Sequence, residues 1–190
     1  MAQEIEIEFK NLLTRAEYDL LLKEVGFPLE GIVQTNYYFD TADFRLKEQG
    51  AALRVRKKND KYVLTLKEPH PEGLLETHDF LSENEAEAWL NGNPVPKEHT
   101  EKQLRNLDIS LEDLLYYGSL TTERREITYE NVLLVLDYSQ FNGDDDFELE
   151  LEAKSYSEGE QIFKEILKKH KITTRKTPNK IERFFQSINK

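Results

Sequence analysis

The sequence contains no cysteine, and no apolar run in its 190 residues approaches the length that crosses a membrane. The absence of cysteine excludes a disulfide framework and thiol catalysis, and it restricts metal ligands to oxygen atoms and histidine nitrogens. The N-terminus also lacks the basic start and apolar stretch of a signal peptide. We therefore expect a cytoplasmic protein that does not associate with a membrane.

Glycine and proline are scarce, with eight and six residues, and no stretch rich in them divides the chain. We therefore expect residues 1–190 to form a single domain with a substantial core. A formal net charge of −11 argues against a nucleic-acid-binding protein, because such proteins gain most of their affinity from broad basic surfaces. The positive charges are concentrated in a few segments, and this suits a small polyanion better than a polymer.

Two segments far apart in the chain alternate charged and apolar residues with a period of two, the pattern of a β-strand. In residues 4–10 and 147–152 the charged face carries Glu4, Glu6, Glu8 and Lys10 in the first segment, and Glu148, Glu150 and Glu152 in the second. Carboxylates that are two residues apart on a strand lie roughly 6.6 Å from one another and repel in isolation. We therefore expect cationic groups to meet them.

The middle of the chain carries cations in the same alternating pattern. Residues 52–58 place Arg54, Arg56 and Lys58 on one face, and residues 61–67 place Lys61, Thr65 and Lys67 on one face. The intervening Asn59-Asp60 is typical of a two-residue hairpin turn, so the sequence predicts an antiparallel hairpin with a basic face. A solvated face of an ordinary sheet would explain one such strand, but the repetition in several strands weakens that explanation.

The same patterns predict an α+β fold with eight strands, at residues 4–10, 33–40, 52–58, 61–67, 74–80, 120–129, 132–141 and 147–152. Capping boxes at Thr14/Glu17, Ser82/Glu85 and Ser157/Glu160 predict helices, and further helical segments are expected around 103–107, over 110–118 and after Pro178. Eight antiparallel strands suffice to close a barrel around one small ligand. Because the helices must cover the apolar strand faces, we expect them outside the barrel and the charged faces within, as a tunnel.

Five motifs in this order resemble those of the CYTH superfamily, which contains class IV adenylyl cyclases and thiamine triphosphatases and is also called the triphosphate tunnel metalloenzymes. The motifs are Glu6-x-Glu8-x-Lys10, Tyr38-Phe39-Asp40-Thr41, Leu53-Arg54-Val55-Arg56, Leu64-Thr65-Leu66-Lys67 and Glu150-x-Glu152. The resemblance extends from about residue 4 to residue 183. It implies an eight-stranded tunnel that binds a triphosphate and a divalent metal ion.

The resemblance also implies roles for individual residues. It implies that Mg²⁺ or Mn²⁺ binds to Glu6, Glu8, Glu150 and Glu152, and that the phosphates bind to Lys10, Arg54, Arg56, Lys67, Arg124 and Lys180. Among these, the residues expected to act in catalysis are Glu8, Lys10, Arg56 and Lys67. Glu76 matches an inward-facing glutamate, and Asp137 matches the aspartate of a Leu-Asp motif.

The chain departs from the family pattern in two places. Asn179-Lys180-x-x-Arg183 has asparagine where the family has serine, and Leu74 and Leu75 stand where an arginine commonly precedes the glutamate at position 76. Other positions stay open: Glu4 and Glu148 are rim residues or metal contacts, and His78 is an acid or base or a structural residue. Of the adjacent Arg124 and Arg125, only one is expected to face inward, and the apolar residues two and four positions beyond Arg125 favour Arg124.

The resemblance and the charge pattern together predict metal-dependent hydrolysis of a small triphosphate, with water attacking the terminal phosphorus. The substrate would be inorganic tripolyphosphate, thiamine triphosphate or a nucleotide. The alternatives are a class IV-type adenylate cyclase that makes cyclic AMP from ATP, a non-catalytic nucleotide or polyphosphate-binding module, and an interaction domain with charged surfaces. Hydrolysis is favoured over cyclisation because the sequence shows no convincing pocket for a purine base.

Overall fold

The computed structural model describes residues 2–188. Its strands are β1 (Gln3–Leu13), β2 (Ile32–Thr41), β3 (Ala52–Lys58), β4 (Lys61–His70), β5 (Gly73–Leu81), β6 (Leu114–Tyr129), β7 (Val132–Phe141) and β8 (Asp144–Ala153). Its helices are α1 (Arg15–Glu24), α2 (Arg45–Glu48), α3 (Glu83–Leu90), α4 (Glu98–Asn106), α5 (Tyr156–Lys169) and α6 (Lys180–Ile188). None of the helices in this part of the chain is long and apolar enough to cross a membrane.

The eight strands form a closed antiparallel barrel in the order β1-β5-β4-β3-β2-β6-β7-β8, and the six helices within residues 2–188 pack around it. The predicted α+β barrel with helices outside is therefore confirmed. Contacts divide the chain into two compact units. One comprises the residues up to Ile5 together with Gln34–Leu120, and the other comprises Glu6–Val33 together with the residues from Thr121 onward.

The first unit has a core between its strands and the helices α2, α3 and α4. Leu53, Leu64 and Leu66 are buried there on the apolar strand faces, together with Trp89 of α3. The Trp89 ring meets Phe39 of β2 edge to face, with 5.3 Å between the ring centroids. The helix α3 begins with the capping box that Ser82 and Glu85 predict. The charged strand faces of this unit are therefore turned away from its helices.

The second unit has a separate core between β7 and β8 and the helices α1 and α5. Leu134, Leu136 and Leu149 are fully buried on these strands, and they pack with Phe163 and Ile166 of α5. Burial of each of these leucine side chains stabilises the folded state by roughly 1.5–3 kcal/mol relative to an exposed side chain. Here too the charged strand faces lie opposite the apolar faces that the helices cover.

The prediction of a helix over residues 110–118 is wrong. Only Leu111–Asp113 forms a short 3₁₀ turn, and β6 begins at Leu114. The aromatic residues that follow favour a strand because they pack against β2: the Tyr116 ring lies 5.6 Å from that of Phe39, and the Tyr117 hydroxyl donates to the carbonyl of Thr41 at 2.9 Å. Tertiary packing therefore overrides the apolar spacing that resembled a helix.

The basic hairpin has the predicted turn. Asn59 and Asp60 both adopt left-handed backbone conformations, with φ of 49° and 57°, as a two-residue hairpin loop requires. The turn sets the register of β3 on β4, in which Arg54 lies opposite Thr65. Residues opposite each other share a face of the sheet, so this register fixes which side chains accompany the arginines.

Candidate functional site

The second unit contains a group of ionised side chains on β1, β6, β7, β8 and α6, which we call the acidic cluster. Strand pairing places Lys10 opposite Glu150 and Glu8 opposite Glu152. The carboxylates of the cluster are those of Glu6, Glu8, Asp137, Asp146, Glu148, Glu150 and Glu152, and its cations are Lys10, Arg124, Lys180 and Arg183. The cluster therefore has a formal excess of three negative charges.

Lys180, at the start of α6, lies among three of these carboxylates. Its Nζ is 2.9 Å from Asp137 Oδ2, 2.6 Å from Glu148 Oε2 and 2.5 Å from Glu150 Oε1. Burial opposes the charged form of Lys180, but the three carboxylates together outweigh it and raise its pKa above the ordinary value. Lys180 is therefore one of the cations that the repelling carboxylates were expected to require.

Arg124 is a second such cation. Its guanidinium donates to both oxygens of Asp137, at 2.9 and 2.6 Å, and to Glu150 Oε2 at 2.6 Å. Burial alone would raise the pKa of Glu150, but Lys180 and Arg124 hold it well below its ordinary value. The adjacent Arg125 lies on the other face, where it donates to the Tyr18 hydroxyl at 2.7 Å. Arg124 is thus the arginine that accompanies the acidic strands.

The remaining two cations of the acidic cluster, Arg183 and Lys10, also contact its carboxylates. Arg183 donates to Glu148 at 2.7 Å and to Asp146 at 2.7 Å, while Lys10 contacts Glu8 and the side-chain oxygen of Asn179. Asn179 therefore contributes an acceptor at the position where the family pattern has serine. For Glu148 the alternatives are a rim residue and a metal contact; its side chain is fully buried and ion-paired with Lys180 and Arg183.

The first unit contains a group of opposite charge, which we call the basic cluster. It lies on one face of β3, β4 and β5 and comprises Arg54, Arg56, Lys58, Lys67 and Glu76. Lys67 contacts Glu76, its register partner, and Arg56 donates through Nε to Asn36 Oδ1 at 2.9 Å. Four cations thus share this face with one carboxylate of the cluster.

The Nε atom of Arg54 is buried and has no hydrogen-bond partner among the residues that the structure describes. A buried donor without an acceptor costs about 1–3 kcal/mol, so an acceptor atom supplied by a ligand would stabilise Arg54 here. A guanidinium group can donate two parallel hydrogen bonds to the oxygens of one phosphate, and a lysine ammonium group adds a compact positive charge. The basic cluster therefore has the chemistry of a site for a small polyanion.

Beside the basic cluster, the imidazole of His78 lies against the carboxylates of Glu76 and Glu4. For Glu4 the alternatives are also a rim residue and a metal contact, and its side chain is 63% exposed. None of these three residues is one of the acidic carboxylates Glu6, Glu8, Glu150 and Glu152, which belong to the second unit.

Two neutral residues, to which the sequence patterns assign no role, orient the charged groups. Asn36 is 1% exposed and accepts from Arg56, and Thr65 is 2% exposed and hydrogen-bonds His78. Both lie on the charged faces of their strands, where the period-two pattern places Thr65 beside Lys61 and Lys67. Neutral residues carry no charge signal, and only the register of β2 on β3 and of β4 on β5 identifies their partners.

Comparisons with known proteins agree with this architecture. A family model described as "CYTH domain" matches residues 4–185. A Bacillus subtilis (strain 168) protein named "Putative triphosphatase YjbK" is 46% identical over 191 residues, which cover 100% of this chain and 99% of that protein.

Two solved structures are also similar. A Bacillus halodurans protein described as a "putative adenylate cyclase" is 41% identical with a TM-score of 0.94, covering 97% of this chain and 100% of that one. A Hippeastrum protein described as a "putative adenylyl cyclase" with a dominant triphosphatase activity is 23% identical with a TM-score of 0.78, covering 96% of each chain. At 23% identity the likeness supports the shared fold alone.

Proposed function

Because the chain belongs to the CYTH domain family, whose model spans residues 4–185, we propose that it hydrolyses a small triphosphate with the aid of a divalent metal ion. The triphosphatase name of the B. subtilis relative, which is 46% identical over the whole chain, supports this activity. The substrate is inorganic tripolyphosphate, thiamine triphosphate or a nucleotide. We assign the reaction to the cytoplasm, since a chain without cysteine suits a reducing compartment.

The acidic cluster has a donor set that fits Mg²⁺ or Mn²⁺. These ions prefer carboxylate oxygens and water, and they would be held by Glu6, Glu8, Glu150 and Glu152. Glu8 and Glu152 lie directly opposite each other on β1 and β8, and like charges in that arrangement destabilise a sheet unless a cation lies between them. When bound, such an ion would polarise a phosphoryl oxygen and position a water molecule.

The basic cluster supplies phosphate binding, and the observation that carries the proposal is the buried Arg54 Nε beside the other cations of that face. Phosphoryl transfer depends on positioning and on stabilising the charge of the phosphate oxygens. Arg54, Arg56 and Lys67 have this role in our proposal. Lys10, Arg124 and Lys180 are further phosphate ligands, and they are held in place by the carboxylates of the acidic cluster.

Within the proposal, Glu8, Lys10, Arg56 and Lys67 act on the reacting phosphates and the metal. Lys10 contacts Glu8, so a metal bound by Glu8 and a phosphate bound by Lys10 would be neighbours. Asp137 positions Arg124 and Lys180, and Glu76 positions Lys67. We propose that residues 1–190 act as a single domain, a view that the family match across both compact units supports.

A product analysis by anion-exchange chromatography tests the proposal. With Mg²⁺ or Mn²⁺, tripolyphosphate should yield orthophosphate and pyrophosphate, and ATP should yield little or no cyclic AMP. Cyclisation remains the second candidate, because the B. halodurans relative carries a cyclase name and the same groups would bind ATP. Abundant cyclic AMP with untouched tripolyphosphate would establish the cyclase, and a rise in melting temperature with tripolyphosphate without any product would indicate a binding module.

A further inference from the structure

Three side chains on β1 and β5 of the first unit converge, and none of them belongs to the acidic cluster. Glu4, Glu76 and His78 each offer one ligand atom, and these atoms all lie within 4.8 Å of one another. The main chain fixes their placement, because the amide of His78 donates to the carbonyl of Ala2 at 2.8 Å. Two carboxylates and an imidazole form a mixed oxygen and nitrogen donor set, which differs from the all-carboxylate set proposed for the catalytic metal.

The separations suit a coordinated ion. The Nε2 atom of His78 is 3.2 Å from Glu4 Oε1 and 3.2 Å from Glu76 Oε2. Ligand atoms about 2.0–2.2 Å from a tetrahedral ion lie about 3.3–3.6 Å apart, and those around an octahedral ion are slightly closer. Two of the three separations are therefore close to those in a coordination sphere. The third, between oxygens of Glu4 and Glu76, is within 4.8 Å, and the side chain of Glu4 is the most exposed of the three and free to move closer.

The groups around the three ligands orient them toward one another. The Nδ1 atom of His78 is hydrogen-bonded to the Thr65 hydroxyl at 3.1 Å, and Thr65 is itself buried. Histidines that bind metals commonly use their second ring nitrogen in this way, because the hydrogen bond fixes the ring orientation. Lys67 contacts Oε1 of Glu76, so that the other oxygen, Oε2, faces the imidazole.

We propose that Glu4, Glu76 and His78 bind one divalent transition-metal ion, of the class that includes Zn²⁺ and Co²⁺. Imidazole favours these ions over Mg²⁺, which prefers oxygen ligands. Three protein ligands leave at least one coordination position for water, and the exposure of Glu4 gives the ion access from solvent. This second metal site does not depend on whether the protein hydrolyses triphosphates.

A titration of the metal-free protein with Co²⁺ tests this site by visible absorption, in a large excess of Mg²⁺ that occupies the carboxylate-only ligands. One Co²⁺ should bind per chain, and Zn²⁺ should displace it. His78→Ala should weaken Co²⁺ binding by at least 100-fold, and Glu4→Gln, a change at an exposed position that leaves the core intact, by at least tenfold. Thr65→Val should weaken it by about 10–100-fold, the range for residues that orient metal-ligating histidines.

Two controls separate this site from other metal-binding groups. His99→Ala changes a histidine on α4 that is outside the cluster, and Glu8→Gln changes a carboxylate of the acidic cluster; neither should alter Co²⁺ affinity. The proposal is overturned if the wild-type protein shows no saturable Co²⁺ absorption, or if Glu4→Gln and His78→Ala bind Co²⁺ as the wild type does. Because no triphosphate is present, the result is independent of the product analysis.

Discussion

The acidic and basic clusters are built from the same strand pattern but differ in how their charges are balanced. In the acidic cluster, Lys180 and Arg124 bind the buried Asp137 and Glu150, so the ion pairs are part of the structure of the second unit. In the basic cluster, Arg56 is oriented by a neutral amide, and Arg54 has a buried donor without a partner among residues 2–188. A substitution in the acidic cluster should therefore lower the stability of the fold, and a substitution in the basic cluster should weaken ligand binding.

The largest effect on stability is expected for Asp137→Asn. Asp137 is fully buried and pairs with Arg124 and Lys180, so the substitution leaves two buried cations short of an anion. The free energy of unfolding, measured by urea denaturation, should fall by about 3–5 kcal/mol. Asp145→Asn, at an exposed position of the adjacent strand, is the control and should change it by less than about 0.5 kcal/mol. Equal stability of the two variants would show that the acidic cluster does not support the fold.

The largest effect on activity without loss of stability is expected for Arg56→Ala. The variant loses a donor to the phosphate oxygens, so kcat/KM for tripolyphosphate should fall by about 30–1000-fold, or about 2–4 kcal/mol. Arg56→Lys should restore only part of the activity, because lysine lacks the paired donors of arginine. Lys61→Ala, at the exposed hairpin end, serves as the control. Wild-type kinetics in both Arg56 variants would place this side chain outside the site.

A smaller effect is expected for Asn36→Ala, which removes the acceptor that orients Arg56. Loss of one such hydrogen bond should lower kcat/KM by about fivefold to tenfold, the equivalent of about 1 kcal/mol. In the Arg56→Ala background the same substitution should have little further effect, since the residue that it positions is absent. Additive losses in the double variant would show that Asn36 acts independently of Arg56.

The smallest effect, a change in thermal stability, is expected for a substitution of Glu85, which lies outside both clusters. Its carboxylate accepts from the backbone of Ser82 and binds Lys97, and these contacts lower its pKa to about 2. A lowered pKa stabilises the folded protein above the unfolded pKa of about 4.3, and that contribution is lost as the pH falls toward about 2. At pH 7, Glu85→Gln should therefore lower the melting temperature by about 2–4 °C, typical of one helix-cap interaction. Near pH 2 the wild type and the variant should have the same melting temperature. A difference in melting temperature that does not change with pH would contradict the lowered pKa of Glu85.

The same variant tests whether the chain is a single domain. Glu85 belongs to the first unit, and Glu17 occupies the equivalent capping position at the start of α1 in the second unit. If residues 1–190 unfold cooperatively, Glu85→Gln and Glu17→Gln should each shift one common calorimetric transition. Two transitions, each shifted by one of the variants, would show that the units are separate domains.

Local patterns in the sequence predicted most of the fold. The alternation in residues 4–10 and 147–152 identified both acidic strands and their charged faces, and Asn59-Asp60 identified the basic hairpin, because these features depend on near neighbours in the chain. Residues 110–118 were assigned incorrectly because their strand depends on aromatic contacts with β2, which are distant in sequence. Local periodicity carries no information about such contacts.

The charged faces of the site could also be predicted, but not their internal pairing. The sequence indicated that the carboxylates would require cations, yet nothing local pairs Lys180 with Asp137, 43 positions earlier in the chain. Likewise, Glu76 and His78 share a strand face because they are two positions apart, while the approach of Glu4 depends on the neighbouring positions of β1 and β5 in the barrel. These pairings follow from strand order and register, which single-strand patterns do not contain.

Isothermal titration calorimetry with tripolyphosphate tests directly whether the basic cluster binds the triphosphate and the acidic cluster binds the divalent metal. Without Mg²⁺, Arg56→Ala should bind tripolyphosphate at least tenfold more weakly than the wild type, while Glu8→Gln should bind it at least as tightly. Mg²⁺ should strengthen binding in the wild type, and Glu8→Gln should lose that gain. Wild-type affinity in Arg56→Ala, or an unchanged Mg²⁺ effect in Glu8→Gln, would contradict the account.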